Sequence, residues 1–99
     1  MPRMQTDELI AFIAVVEAGS FSRAAEQLNQ ATSAVSRQVK KLEVKLATTL
    51  LNRTTRTINL TQEGEWFYRR AVEIVGSMRE AESHFIESQN DPMGVLRVD

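Results

Sequence analysis

Cysteine is absent from the 99 residues of this chain, and histidine occurs only once. Without cysteine there is neither a disulfide framework nor a thiolate metal site. The single histidine, His84, cannot build a metal centre by itself. The sequence also lacks a glycine-rich phosphate loop, a nucleophile–histidine pair and a cluster of metal ligands. We therefore expect no cofactor and no metal, and we expect that the chain is not an enzyme.

Long apolar runs are missing as well. The first twenty residues do not combine a basic head with an unbroken apolar stretch, so no signal peptide is predicted. No segment is apolar over the length that a membrane span requires. We expect a cytoplasmic protein that does not interact with membranes.

The charge of the chain is unevenly distributed along its length. Apolar residues make up 42% and charged residues 25%, which is typical of a globular domain. The net charge is only −1, yet residues 31–60 contain six cationic side chains and one carboxylate. The segments before and after are acidic. Because a local basic patch attracts phosphate even on an acidic protein, the net charge does not exclude nucleic acid as a partner.

The amino-terminal third predicts two helices joined by a tight turn. Apolar residues at i, i+3, i+4 and i+7 predict a first helix near residues 6–18, with Thr6 or Asp7 as its N-cap. Gly19 ends this helix, because glycine adopts the left-handed conformation at little cost. Ser20 is then the predicted N-cap of a second, short helix.

A third helix, with Thr32 or Ser33 as its predicted N-cap and its end at about Ala47, separates apolar from basic residues. Its apolar side consists of Val35, Val39, Leu42 and Leu46, at spacings of four, three and four. On the opposite side we expect contacts with DNA from Ser33, Ser36, Arg37, Lys40 and Lys41. Cations suit phosphates, whereas hydroxyls and a guanidinium suit base edges in the major groove. A short helix, a turn and a longer helix with such a face form the helix-turn-helix pattern.

Residues 50–60 predict a wing, meaning two short strands joined by a polar tip. We interpret Arg53 and Arg56, which both lie in that tip, as further DNA contacts. Thr61 then starts a long helix that continues to about Gln89 and spans about 40 Å.

An apolar stripe runs along this long helix at alternating spacings of four and three, which is a heptad pattern. We expect a homodimer interface at Phe67, Ala71, Ile74, Met78, Ala81 and Phe85. For Phe67 and Ala71, packing against the same chain is the alternative. The predicted organisation is a winged helix-turn-helix over residues 1–61, a linker helix over 62–90 and a tail over 91–99.

Five other residues receive simpler interpretations. Glu43 and Lys45 are interpreted as solvated charges, with Lys45 adding to phosphate attraction. Trp66 and Tyr68 are interpreted as packing residues, and His84 as a surface or interface residue.

Four segments of the chain resemble the amino-terminal part of LysR-type transcriptional regulators. They are residues 19–28 (GSFSRAAEQL), 33–43 (SAVSRQVKKLE), 51–56 (LNRTTR) and 60–64 (LTQEG), in order at the family's spacings. The resemblance implies a winged helix-turn-helix, a linker helix that pairs two subunits and binding to interrupted palindromic DNA near promoters. It also implies a carboxy-terminal domain, missing here, that binds a small-molecule effector. Thr32, Ser33, Ser36, Arg37 and Lys41 match the family's groove-facing positions, and Arg53 and Arg56 match its wing.

The chain departs from the family pattern at three places. Ala31-Thr32 replaces the usual Ser-Gln at the start of the third helix, Ala47 replaces a glycine and Leu51 replaces a phenylalanine. The first change removes an amide that reads bases, so the target sequence cannot be inferred. Neither the effector, the regulated genes nor the direction of regulation follows from these residues.

Two other interpretations of the chain remain open. A coiled-coil dimer whose winged head binds another protein would have the same elements. Another class of winged-helix protein would also bind DNA, although the length and heptad stripe of the linker helix disfavour it.

Overall fold

The computed structural model describes residues 3–53 and 57–90, with side chains described up to residue 86. The elements in chain order are α1 (Thr6–Ala18), α2 (Phe21–Leu28), α3 (Thr32–Leu46), β1 (Leu51–Arg53), β2 (Ile58–Leu60) and α4 (Gln62–Asn90). This order confirms the predicted class: a mainly helical winged helix-turn-helix followed by a long helix. Arg56 and the predicted tail at 91–99 lie outside the described residues. Among the described residues, none of the helices has the length and apolar character to cross a membrane.

The core lies where the first three helices meet. Phe12, Val15, Val35, Val39 and Leu42 are completely buried there. Burial of each such side chain contributes about 1.5–3 kcal/mol to stability. The apolar spacings of α1 and α3 in the sequence therefore correspond to the faces that pack together.

The starts of α1 and α2 show which predicted N-caps are right. Ser20 Oγ accepts a hydrogen bond from the Arg23 N–H at 3.0 Å, which confirms that cap. The predicted cap of α1 is wrong, because the N-cap is Gln5 and the helix already begins at Thr6. The Gln5 N–H donates to the Glu8 carboxylate at 2.9 Å, so the first turn of α1 is closed by an acidic side chain.

The start of α3 lacks a side-chain cap. The helix begins at Thr32, and its N-cap is Ala31, which has no polar side chain. The prediction that Thr32 or Ser33 caps it is therefore wrong. These two hydroxyls lie in the first turn and remain exposed.

The end of α3 is set by an alanine in the left-handed region. The helix ends at Leu46, and Ala47 follows with φ 52 and ψ 41. Its N–H points back to the carbonyls of Glu43 and Val44. The glycine usual at this place in the family would adopt that conformation without the clash that a Cβ introduces.

We expect Ala47→Gly to stabilise the fold by about 1 kcal/mol, because it relieves the Cβ clash at positive φ. Asn29 is the matched control, since it also has positive φ (58). Asparagine tolerates that region, so Asn29→Gly should change stability by less. Urea unfolding followed by circular dichroism measures both. Equal gains at the two positions would show that strain at Ala47 is not the cause.

The wing joins the helices through its buried end. β1 and β2 are antiparallel, with Leu51 opposite Leu60 and Arg53 opposite Ile58. Leu51 is buried, so the leucine fills the core position where the family usually has phenylalanine.

Thr61 connects the wing to α4. Its Oγ1 donates to the carbonyl of Thr49 at 2.7 Å and accepts from the Gly64 N–H at 2.9 Å. Its own N–H donates to the carbonyl of Leu50 at 3.0 Å. These bonds confirm Thr61 as the residue that starts the helix, and they hold the first turn of α4 against the backbone of Leu50.

Candidate nucleic-acid interface

The two faces of α3 differ as the sequence predicts. Val35, Val39 and Leu42 are completely buried, and Leu46 is half-buried. On the opposite face Ser33, Arg37, Lys40 and Lys41 are exposed, and Ser36 is half-buried. Thr32, in the first turn of α3, is exposed but does not line the groove described below. In the part of the chain that the structure describes, no carboxylate forms an ion pair with Arg37, Lys40 or Lys41. These three cations are therefore available to an external anion.

The wing lies beside this basic face. An open groove of about 730 Å³ is lined by Ser33, Ser36, Arg37, Lys40, Lys41, Val44, Lys45 and Arg53. One end of β1 therefore contributes a guanidinium to the same surface as α3. A surface that combines hydroxyls and cations from a helix with an arginine from a wing is suited to phosphate and base edges.

Arg53 is held on two sides. Its guanidinium carbon lies 4.7 Å from the centre of the Phe21 ring. One of its Nη atoms lies 3.8 Å from Oε1 of Glu43. About a third of the side chain stays exposed (36%), so it remains accessible from outside.

Glu43 is part of the structure and is not merely solvated, so that interpretation is wrong. Its Oε2 accepts the N–H groups of Leu50 and Leu51, at 2.9 Å and 3.2 Å. The side chain is only 10% exposed. Its position explains why: it lies next to Leu42 on α3, at the edge of the face that meets the wing.

Lys45 is also engaged within the fold. Its Nζ lies 2.7 Å from Oε2 of Glu8, which is 2% exposed. The expectation that Lys45 is a solvated charge that attracts phosphate is therefore corrected. A signal for Glu8 was present in the sequence, because it shares the i, i+4, i+7 face of α1 with Phe12 and Val15.

The environment of Glu8 favours its ionised form. Burial is the largest single effect and raises the pKa of Glu8, but hydrogen bonds from Lys45 and from the Gln5 N–H lower it. The charges of Lys45 and Lys41 act in the same direction, so the pKa lies below its ordinary value. Because the folded pKa is lowered, the carboxylate contributes stability above its unfolded pKa. That contribution is lost as the pH falls through the folded pKa.

The apolar stripe of α4 divides into a buried and an exposed part. Phe67 is 8% exposed and Ala71 is completely buried. Both pack against the winged helix-turn-helix of the same chain, which we call the head. Their assignment to a dimer interface is corrected for this reason. The remaining four residues are exposed: Ile74, Met78, Ala81 and Phe85. Val75, which the heptad pattern missed, is also buried on the head.

Three aromatic residues outside the basic face have separate environments. Trp66 is 59% exposed, so its interpretation as a packing residue is wrong. Tyr68 is half-buried, and its hydroxyl donates to the Glu17 carboxylate at 2.8 Å, a bond that raises the pKa of Tyr68. His84 is exposed, with its ring edge-on to Phe85. None of these three lines the groove at α3.

A family model for bacterial regulatory helix-turn-helix proteins of the lysR family matches residues 6–65. The HTH-type transcriptional regulator CrgA of Neisseria meningitidis serogroup C (strain 8013) is 55% identical over 97 residues, which is 98% of this chain and 32% of that protein. The chain thus spans about a third of the length of this curated relative.

Two solved structures share the fold. A crystal structure of the BenM DNA-binding domain with catB site 1 DNA superposes with a TM-score of 0.82 and is 34% identical, covering 89% of this chain and 99% of that one. The structure of CrgA, a LysR-type transcriptional regulator from Neisseria meningitidis, has a TM-score of 0.75 and is 52% identical. It covers 93% of this chain and 31% of that one.

Proposed function

This chain belongs to the lysR family of bacterial regulatory helix-turn-helix proteins, and on that premise we propose that it binds double-stranded DNA in a sequence-specific manner, as the DNA-binding part of a transcriptional regulator. The observation that carries the proposal is the shared surface of α3 and the wing. There, three cations without an ion pair among the described residues lie beside Arg53. The BenM neighbour, which was crystallised with DNA, supports the same use of the fold.

We assign different roles to the residues of this surface. Lys40 and Lys41 are flexible point charges and attract phosphates, which gives affinity without sequence preference. Base reading falls to the side chains nearer the start of α3, which are Thr32, Ser33, Ser36 and Arg37. Arg53 contacts the DNA from the wing, and we extend this role to Arg56 on the sequence alone.

We further propose that two copies bind together as a homodimer through α4. Its exposed apolar residues are Ile74, Met78, Ala81 and Phe85, and a continuous exposed apolar strip usually marks an interface. A two-fold dimer presents two copies of α3 to one duplex, so the target is an interrupted palindrome. In a protein of the relatives' length, response to a small-molecule effector belongs to the two thirds that this chain does not span.

Substitutions on α3 separate base reading from phosphate attraction. We expect Arg37→Ala to weaken binding to a selected duplex by about 1–3 kcal/mol and to affect a scrambled duplex much less, because a guanidinium on a guanine is lost. Lys41→Ala should weaken binding to both duplexes alike. It should also reduce the salt dependence of the binding constant by the amount that about one phosphate contact contributes. Fluorescence anisotropy with labelled duplexes at several salt concentrations measures both effects.

The outcomes of this titration also decide between the open interpretations. Equal losses for Arg37→Ala on both duplexes would remove Arg37 from base reading. A wild-type protein with no affinity for any duplex, at any salt concentration, would instead favour the module whose winged head binds another protein.

A further inference from the structure

We propose that Glu43 is a positioning residue for DNA binding: it holds the wing arginine, Arg53, beside the basic face of α3. The inference rests on the proposed DNA binding and extends it to a residue with negative charge. Such a residue has no favourable direct contact with a phosphate, so its contribution must pass through another group.

The carboxylate of Glu43 joins α3 to the wing. Oε2 accepts the N–H groups of Leu50 and Leu51, which fixes the start of β1 relative to α3. Oε1 faces the guanidinium of Arg53, two residues further along the same strand, at 3.8 Å. Because the side chain of Glu43 is 10% exposed, water competes little for these oxygens.

Phe21 completes the arrangement around Arg53. The guanidinium lies over the Phe21 ring at the start of α2, where the face of the ring attracts a cation. With Phe21 on one side and Glu43 on another, the flexible arginine is restricted before DNA arrives. When a flexible side chain is already restricted to the region that it occupies in the complex, the entropic cost of binding is lower.

Electrostatic repulsion of DNA and positioning of Arg53 predict opposite changes in DNA affinity when this carboxylate is lost. Removal of a negative charge next to a phosphate-binding surface should raise affinity for DNA. If Glu43 instead positions Arg53, its neutralisation should lower affinity. The sign of the change therefore decides between the two roles.

The first experiment compares Glu43→Gln with Glu26→Gln, which removes one charge from the exposed surface of α2. For Glu43→Gln we expect a loss of affinity for the selected duplex of about threefold to tenfold, the size of a partly exposed ion pair together with weakened charge-assisted bonds. For Glu26→Gln we expect no loss. Anisotropy titrations at one salt concentration, with unfolding temperatures measured in parallel, give both values. An affinity for Glu43→Gln equal to or above that of Glu26→Gln would overturn the inference.

The second experiment repeats Glu43→Gln in the Arg53→Ala background. We expect little further loss there, because a positioning residue has no effect once the residue that it positions is gone. The same fold-loss in both backgrounds would overturn the inference. Wild-type protein titrated alongside keeps the two proposals distinct: failure of the wild type to bind rejects the proposed function, whereas failure of the variants to differ rejects only the role of Glu43.

A third variant covers the case in which Glu43→Gln does not fold. Phe21→Leu keeps an apolar side chain and leaves every charge and the carboxylate bonds of Glu43 in place, but it removes the ring under Arg53. We expect it to weaken duplex binding by about threefold, with no loss in the Arg53→Ala background. Unchanged affinity would contradict the preorganisation of Arg53 that the inference requires.

Discussion

Replacement of Gly64 by alanine should destabilise the fold by about 3 kcal/mol, the upper range for overpacking a tight site. A Cβ at this position would lie 2.1 Å from the carbonyl oxygen of Leu50 and 3.1 Å from a methyl of Leu60. The backbone cannot give way easily, because the same carbonyl accepts the N–H of Thr61. Urea unfolding of the variant and the wild type measures the difference.

The same helix offers a matched control for this substitution. At Gly76 an added Cβ meets nothing within 4 Å. Gly76→Ala should therefore stabilise the chain by up to about 1 kcal/mol, since glycine is unfavourable inside a helix. Opposite signs at the two positions would confirm that close approach, and not helix propensity, requires glycine at position 64. A neutral Gly64→Ala would contradict the contact between α4 and the Leu50 backbone.

Removal of the Lys45 ammonium should lower the free energy of unfolding by about 3 kcal/mol. Lys45→Met keeps most of the apolar stem but leaves the Glu8 carboxylate, which is 2% exposed, without its cation. The penalty is the cost of an uncompensated buried charge. Thermal and urea unfolding near neutral pH measure it.

Two further measurements test this explanation: a substitution of the partner residue Glu8 and a change of pH. The double variant Glu8→Leu with Lys45→Met should recover most of the lost stability, because it removes both charges together. The penalty of Lys45→Met should also shrink under acidic conditions, where a protonated Glu8 no longer needs a cation. In the wild type the pKa of Glu8 is lowered, so its stabilisation begins to decline at the ordinary carboxyl pKa and is lost as the pH falls through the lower folded pKa. A pH-independent penalty would show that lost packing, and not charge, is responsible.

The features predicted correctly from the sequence depend on residues that are close together in the chain. The faces of α3 follow from the spacing of Val35, Val39 and Leu42 within one helix. The wing follows from β-branched and turn residues over 50–60, and the cap at Thr61 from its own hydroxyl. Each of these is decided within about ten residues, where periodicity and side-chain chemistry suffice.

The roles of Lys45 and Phe67, which were misassigned from the sequence, depend on contacts between distant segments of the chain. Glu8 and Lys45 are 37 positions apart, and their pairing exists only because α1 packs on α3. Nothing in the periodicity of α3 distinguishes Lys45 from Lys41, although one is engaged and the other available. Likewise, the apolar stripe of α4 could not show by itself where the helix leaves the head, so Phe67 was assigned to the wrong surface.

Selection of bound duplexes from a random pool tests the central claim most directly, namely that α3 and the wing of two paired copies read DNA. The account predicts an enriched sequence with two half-sites related by two-fold symmetry, centred about 10 base pairs or a multiple of that apart. It also predicts that Arg37→Ala relaxes the preference within each half-site. A pool that remains random after repeated selection, or one enriched in a single site without symmetry, would contradict the account.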